Sequence, residues 1–133
     1  MRPKLGGLRH VALSVGDLER SLAFYRDVMG MALEWMPDPD NAYLTSGADN
    51  LALHRRSGSA RPGAAQTLDH IGFVVSCPED VDDWARYLEG RGVRLSMAPR
   101  THRDGARSLY FEDPDGIRVQ VIYHPPISEG GRK

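Results

Sequence analysis

Two histidines occupy the same place in a repeated run. His10 is third in Leu8-Arg9-His10-Val11-Ala12-Leu13-Ser14-Val15, and His70 is third in Leu68-Asp69-His70-Ile71-Gly72-Phe73-Val74-Val75. A neutral imidazole presents a nitrogen lone pair that suits iron, copper, nickel and zinc. The duplicated histidine is therefore a candidate pair of metal ligands facing each other across a pseudo-twofold axis. A hydrogen-bonded structural histidine is the alternative at each position, and the repetition favours the ligand reading. Aligning the last strand of each repeat by its aliphatics sets Leu51 on Ile117 and Leu53 on Val119, which sets His54 on Gln120. The candidate metal set is then His10, His54, His70 and Gln120, three nitrogens and one amide oxygen, and an oxygen ligand admits manganese and magnesium as well. Tyr110 joins them, because residues 110 and 120 lie symmetrically about the turn Asp113-Pro114-Asp115-Gly116 and become near cross-strand neighbours. A phenol beside a metal donates a proton or holds a substrate oxygen; packing within the strand is its plainer role.

The elements that must position these side chains also come twice. Along 8–15 the large aliphatics Val11, Leu13 and Val15 share one face, while His10, Ala12 and Ser14 share the other. Asp17 suits a helix N-cap, Leu18, Leu22, Tyr25 and Met29 form an apolar stripe, and Gly30 stops the helix. Strands are predicted over about 31–36, 41–46 and 50–56, separated by turn-forming residues. The small and polar stretch 57–66 reads as a linker between modules 8–56 and 67–124. After the strand at 68–75, Ser76 and Glu79 are spaced as a capping box, Val81, Trp84 and Leu88 supply a buried stripe, and Gly90 or Gly92 ends the helix. Strands follow over about 93–97, 107–112 and 117–123, then a loosely held tail over 125–133. One helix covers one face of each small sheet, so the opposite faces, which carry the histidines, meet or enclose something.

Composition narrows the partners. A chain of 133 residues with 41% hydrophobic residues makes one ordinary domain, and a formal charge of −1 offers no field to attract nucleic acid or an anionic membrane. Small molecules are the expected partners. No apolar run approaches the roughly 20 residues needed to span a bilayer, and the N-terminus lacks the apolar region of a secretory signal. With a single cysteine, Cys77, an internal disulfide is excluded, so the expected compartment is the cytoplasm. Cys77 itself reads as a small filler. The basic stretch Arg100 to Arg107 is either a solvated loop or one that holds an anionic substrate or closes over the cavity. His124, beside Pro125, reads as a surface residue.

The pattern resembles the vicinal-oxygen-chelate superfamily of glyoxalases, extradiol dioxygenases, epimerases, thiol transferases and bleomycin-binding proteins. The residues carrying the likeness are His10 in His-Val-Ala-Leu-Ser-Val, Asp17 to Gly30, His70 in His-Ile-Gly-Phe-Val-Val, and 111–121 as Phe-Glu-Asp-Pro-Asp-Gly-Ile-Arg-Val-Gln-Val. The resemblance implies an α+β fold of two βαβββ modules related by pseudo-twofold symmetry, forming a cupped mixed sheet with helices outside. It also implies a divalent metal (iron, manganese, zinc or nickel), an oxygen-chelating substrate, a homodimer, and lyase, isomerase or dioxygenase chemistry. Gln120 departs from the family's usual glutamate, which removes a ligand charge and the glyoxalase-type base. The same departure counts against the carboxylate-containing iron triad of a standard extradiol enzyme, whereas the Tyr110 to Gln120 spacing looks like the tyrosine and ligand pairing of extradiol dioxygenases, and the two indications conflict. In this likeness His54 is a fourth ligand or base, Tyr110 a proton donor or orienter, and His102 an acid or base outside the ligand set. The rival expectation is a non-catalytic drug-binding cup lined by aromatics; of the candidates Trp35, Tyr43 and Trp84, the last is on the helix stripe and belongs to the core.

Overall fold

The computed structural model describes residues 8–56 and 68–128. The predicted arm 1–7, the linker 57–66 and the tail beyond 128 lie outside the described residues. The chain divides into two compact units, Met1–Pro62 and Gly63–Lys133, each with the order strand, helix, three strands.

In the first unit β1 (His10–Val15) leads into α1 (Leu18–Ala23), followed by β2 (Ala32–Asp38), β3 (Asn41–Thr45) and β4 (Asn50–Arg55). The sheet order is β1-β4-β3-β2, with β1 and β4 parallel and the other pairs antiparallel. Asp17 caps α1 as expected, its side chain accepting the Arg20 N–H at 3.1 Å. The helix then widens into a π-turn over Phe24–Val28, where the Met29 N–H reaches the Phe24 carbonyl, and Gly30 ends it with φ +83°. Leu18, Leu22, Tyr25 and Met29 are all buried, as are Leu13, Val15, Leu44, Leu51 and Leu53 of the sheet, whose β3 and β4 pack against α1. Burying side chains of this kind stabilises the unit by about 1.5–3 kcal/mol each, which is what fixes the helix to this face. His10, Ala12 and Ser14 are consequently left on the other face and exposed.

The second unit repeats the plan with β5 (Ile71–Val74), α2 (Pro78–Gly90), β6 (Leu95–Thr101), β7 (Arg107–Glu112) and β8 (Arg118–Tyr123), ordered β5-β8-β7-β6. The architecture is thus α+β, with two four-stranded mixed sheets of matching topology. Three local expectations are corrected. The N-cap of α2 is Cys77 without a side-chain cap, not Ser76, because Pro78 opens the helix one residue later than a capping box requires. The buried stripe is Val81, Ala85 and Leu88, while Trp84 is only half-buried and stacks edge-on against Tyr87 at 5.2 Å. Residues 125–128 form a short helical turn, α3 (Pro125–Ser128), held by the Ser128 hydroxyl accepting the His124 N–H at 2.9 Å.

β7 is tied to α2 through Arg107, whose Nη2 and Nε donate to the two oxygens of Asp82 at 2.7 and 3.1 Å. The hydrogen bonds and charge of Arg107 hold the Asp82 carboxyl below its usual range. A carboxyl depressed in the folded state stabilises the fold above its unfolded pKa, and that contribution is lost as pH falls from about 4 through the lower folded value. Both groups are partly exposed, so screening limits the pair to roughly 0.5–1 kcal/mol. Denaturant unfolding of Arg107→Met and wild type is expected to differ by that amount at neutral pH and to converge as the pH falls below about 4. A difference that persists in acid would assign it to packing of the arginine stem instead.

Candidate functional site

The β1·β4 ladder sets His10 opposite Asn50 and Ser14 opposite His54, so His10 and His54 share the face that α1 leaves open. His10 Nδ1–H donates to Asn50 Oδ1 at 2.8 Å, and Asn50 Nδ2 in turn donates to Glu34 Oε1 at 2.6 Å. His54 repeats the arrangement: Nδ1–H donates to Asn41 Oδ1 at 2.6 Å, and Asn41 Nδ2 bonds Asp38 at 2.9 and 3.1 Å. An Nδ1 bound to an oxygen acceptor leaves Nε2 as the unprotonated nitrogen, the form a metal or an acidic proton requires. Between the two histidines Trp35 stacks on Tyr43 (5.4 Å, 19°), and Tyr43 meets the His54 ring edge-on at 5.9 Å.

The ladders correct the alignment that set His54 on Gln120. Gly72 pairs with Gln120, and Gly72 follows His70 by two residues as Ala12 follows His10, so the counterpart of Gln120 is Ala52. Matching aliphatics kept the right face and missed the right pleat by two residues. His54 therefore lies four residues along β4 from the partner of His10, roughly 13 Å at the usual rise per residue.

On the second unit's open face the predicted group is assembled closely. Tyr110 is the direct cross-strand partner of Gln120, whose Nε2 donates to the phenol oxygen at 3.1 Å. The Tyr110 ring meets His70 edge-on at 5.4 Å, and Arg118 lies over Tyr110 at 5.4 Å. Because the amide N–H is spent on Tyr110, Gln120 presents Oε1 over Gly72; a Cβ there would sit 3.5 Å from that oxygen. His70 Nδ1–H donates to Asp69 Oδ1 at 2.6 Å, and this hydrogen bond holds the Asp69 carboxyl below its usual range. The hairpin register that aligns 110 with 120 is fixed by Asp113, whose Oδ1 accepts the Asp115 and Ile117 N–H groups at 2.8 and 2.9 Å, and by Gly116 at φ +81°.

His102 is held differently: its Nε2 hydrogen-bonds the buried Ser108 hydroxyl at 2.9 Å. Arg100 and Thr101 belong to β6, and the turn after them is pinned by Asp104 accepting the Ala106 N–H at 3.0 Å and by Gly105 at φ +88°. An open groove of about 540 Å³ is lined by Arg100, Thr101, His102, Arg103 and Asp104.

On the second unit's open face His70 offers an imidazole with Nδ1 tied down and Gln120 an amide oxygen over Gly72, and on the first unit's open face His10 offers an imidazole held in the same way. No three or more His, Cys, Asp and Glu side chains gather as a metal site within either unit, among the described residues. Sequence reasoning missed the second line, Asn50, Asn41, Glu34 and Asp38. None of the four is near its histidine in sequence, and only the ladder register reveals them. Asp69, adjacent to His70, was open to notice.

A family model described as the Glyoxalase/Bleomycin resistance protein/Dioxygenase superfamily matches residues 7–121. The chain is similar to the metallothiol transferase FosB of Staphylococcus epidermidis, 31% identical over 119 residues that cover 89% of this chain and 82% of that protein. It is 26% identical to the manganese-dependent 2,3-dihydroxybiphenyl 1,2-dioxygenase of Geobacillus genomosp. 3, over all of this chain and 42% of the dioxygenase. The crystal structure of a lactoylglutathione lyase from Agrobacterium tumefaciens shares the fold, with a TM-score of 0.77 at 24% identity, covering 91% of this chain and 96% of the lyase.

Proposed function

The chain belongs to the glyoxalase/bleomycin resistance protein/dioxygenase superfamily, and from that premise we propose a metal-dependent enzyme acting on a small substrate that offers two neighbouring oxygens to the ion. The observation that carries the proposal is the hydrogen bond that His10 and His70 each make through Nδ1 to a side-chain oxygen acceptor, an arrangement that leaves Nε2 to ligate. His10, His70 and Gln120 would hold iron, manganese, zinc or nickel. The ion would supply Lewis acidity, polarising the substrate oxygens and stabilising negative charge that develops on them. All three protein ligands are neutral, so an anionic substrate oxygen completes the charge. Tyr110 receives the Gln120 amide proton at its oxygen, which leaves its own proton to donate to a substrate oxygen. His54 is assigned the role of a base rather than a fourth ligand, given its position along β4. His102 would act only through the Ser108 hydroxyl.

Loss of the usual carboxylate at 120 weighs against proton abstraction by that residue. It favours chemistry in which the bound substrate is activated and Tyr110 supplies a proton, whether a transfer, a lyase or isomerase step, or ring-opening oxygenation. A cytoplasmic homodimer completes the proposal; no helix among the described residues is long and apolar enough to cross a membrane. Protein purified without chelator is expected to carry a stoichiometric divalent ion. His10→Ala should weaken that binding by more than the roughly 10- to 100-fold typical of removing an outer partner. Absence of the ion, together with an unchanged affinity in His10→Ala, would overturn the reading.

A second reading has its own observation. The Trp35 indole, stacked on Tyr43, is 58% exposed on the first unit's sheet, and such a surface suits a flat aromatic ligand held without turnover. The metal analysis separates the two, since a pure binder of this kind needs no ion.

A further inference from the structure

Gln120 leaves the ligand set without a negative charge, yet each ligand histidine ends on a carboxylate. We propose that Glu34, acting through Asn50 on His10, and Asp69, acting directly on His70, supply from outside the ligand set the charge that position 120 lacks. This inference rests on the metal-ligand reading above and concerns positioning residues, not ligands.

On the His70 side the link is a single hydrogen bond of 2.6 Å to Asp69. On the His10 side it has two, His10 Nδ1–H to Asn50 Oδ1 at 2.8 Å and Asn50 Nδ2–H to Glu34 Oε1 at 2.6 Å. An amide polarised by a carboxylate on its nitrogen is a better acceptor at its oxygen, so the effect of Glu34 passes through Asn50 and makes His10 Nε2 a stronger electron-pair donor to an ion. The backbone is shaped to allow this. Leu33 pairs with Leu44 and Trp35 with Tyr43, so two steps on β2 match one on β3, and a bulge falls at Glu34. The bulge puts Glu34 and Trp35 on the same open side, where strict alternation would have turned one of them towards α1. β2 and β4 are separated by β3 in the sheet, so the Glu34 to Asn50 bond is no by-product of strand pairing.

Charge and geometry are separable by substitution. Glu34→Gln and Asp69→Asn keep an oxygen acceptor in place and remove only the charge. Titration of the full chain with Zn²⁺ and Mn²⁺, in competition with a metal indicator, is expected to show each variant binding about tenfold more weakly. The losses should multiply in the double variant and be largely recovered by adding Gln120→Glu. In metal-free protein, ¹⁵N spectra should show His10 as the Nδ1–H tautomer in wild type and a tautomer mixture in Asn50→Ala. Wild-type affinity in both charge variants would overturn this inference while leaving the functional reading intact. A His10 tautomer indifferent to Asn50 would remove the relay on its own. Failure of the wild type to bind either ion would overturn the functional reading first and this inference with it.

Discussion

Gln120→Glu is expected to tighten divalent-metal binding by one to two orders of magnitude. The substitution is nearly isosteric and starts from a side chain whose oxygen already lies over Gly72, clear of any Cβ. It replaces a partial negative charge by a full one at ligating distance. Coulomb attraction at that range is large, and desolvation of the carboxylate offsets most of it, leaving about 1.4–2.8 kcal/mol, or 10- to 100-fold. The same change turns a hydrogen bond around. In wild type the amide donates to the Tyr110 oxygen; a carboxylate has no proton to donate, so the phenol O–H must donate to it. Tyr110 then has no proton left for a substrate, and tighter metal binding should come with a weaker proton donor. Calorimetric titration with Mn²⁺ and Zn²⁺ checks the first half, and unchanged or weaker affinity would show that position 120 is not a ligand. The second half is checked by NMR of the Tyr110 hydroxyl proton, which should be held by the new carboxylate in the variant and free of residue 120 in wild type.

The second large effect is expected at His70. His70→Ala should lower metal affinity by at least 100-fold, more than any outer partner is worth, while thermal unfolding of the metal-free protein shifts by no more than a few degrees. The two readouts part because of where the residue stands. His70 precedes β5 and is partly exposed, and its ring contacts are with Asp69 and Tyr110 on the open face. The unit's core of Val81, Leu88, Leu109, Phe111, Val119 and Val121 lies on the other side of the sheet. A large stability loss without a change in metal affinity would make His70 a structural residue.

Strand alternation and the helical stripe carried most of the architecture in the sequence. Leu18, Leu22, Tyr25 and Met29 are buried as their spacing demands, and His10 stands opposite Leu13 and Val15 as a period of two requires. The edge strands were harder to read, for one shared reason. β2 and β6 run through Pro37 and Pro99, residues that ordinarily end a strand, and both survive there because they sit in register shifts at a sheet edge. Tyr110 and Gln120 were legible because a four-residue turn fixes their pairing by counting alone. His54 was misaligned because β1 and β4 pair in parallel across a distant connection, and no local count sets that register. For the same reason Asn50 and Glu34 had no signature: their meaning depends on which strands become neighbours.

The parallel pairing has a kinetic consequence. His10 meets Asn50 and Ile71 meets Val119 across the widest sequence spans that any ladder bridges within either unit, so these contacts carry the greatest closure entropy and reward the chain last. The candidate ligands lie on or beside these closing pairs: His10 on β1, His70 just before β5 and Gln120 on β8. Within each unit the local hairpins are expected to form first and the parallel pairing to close last.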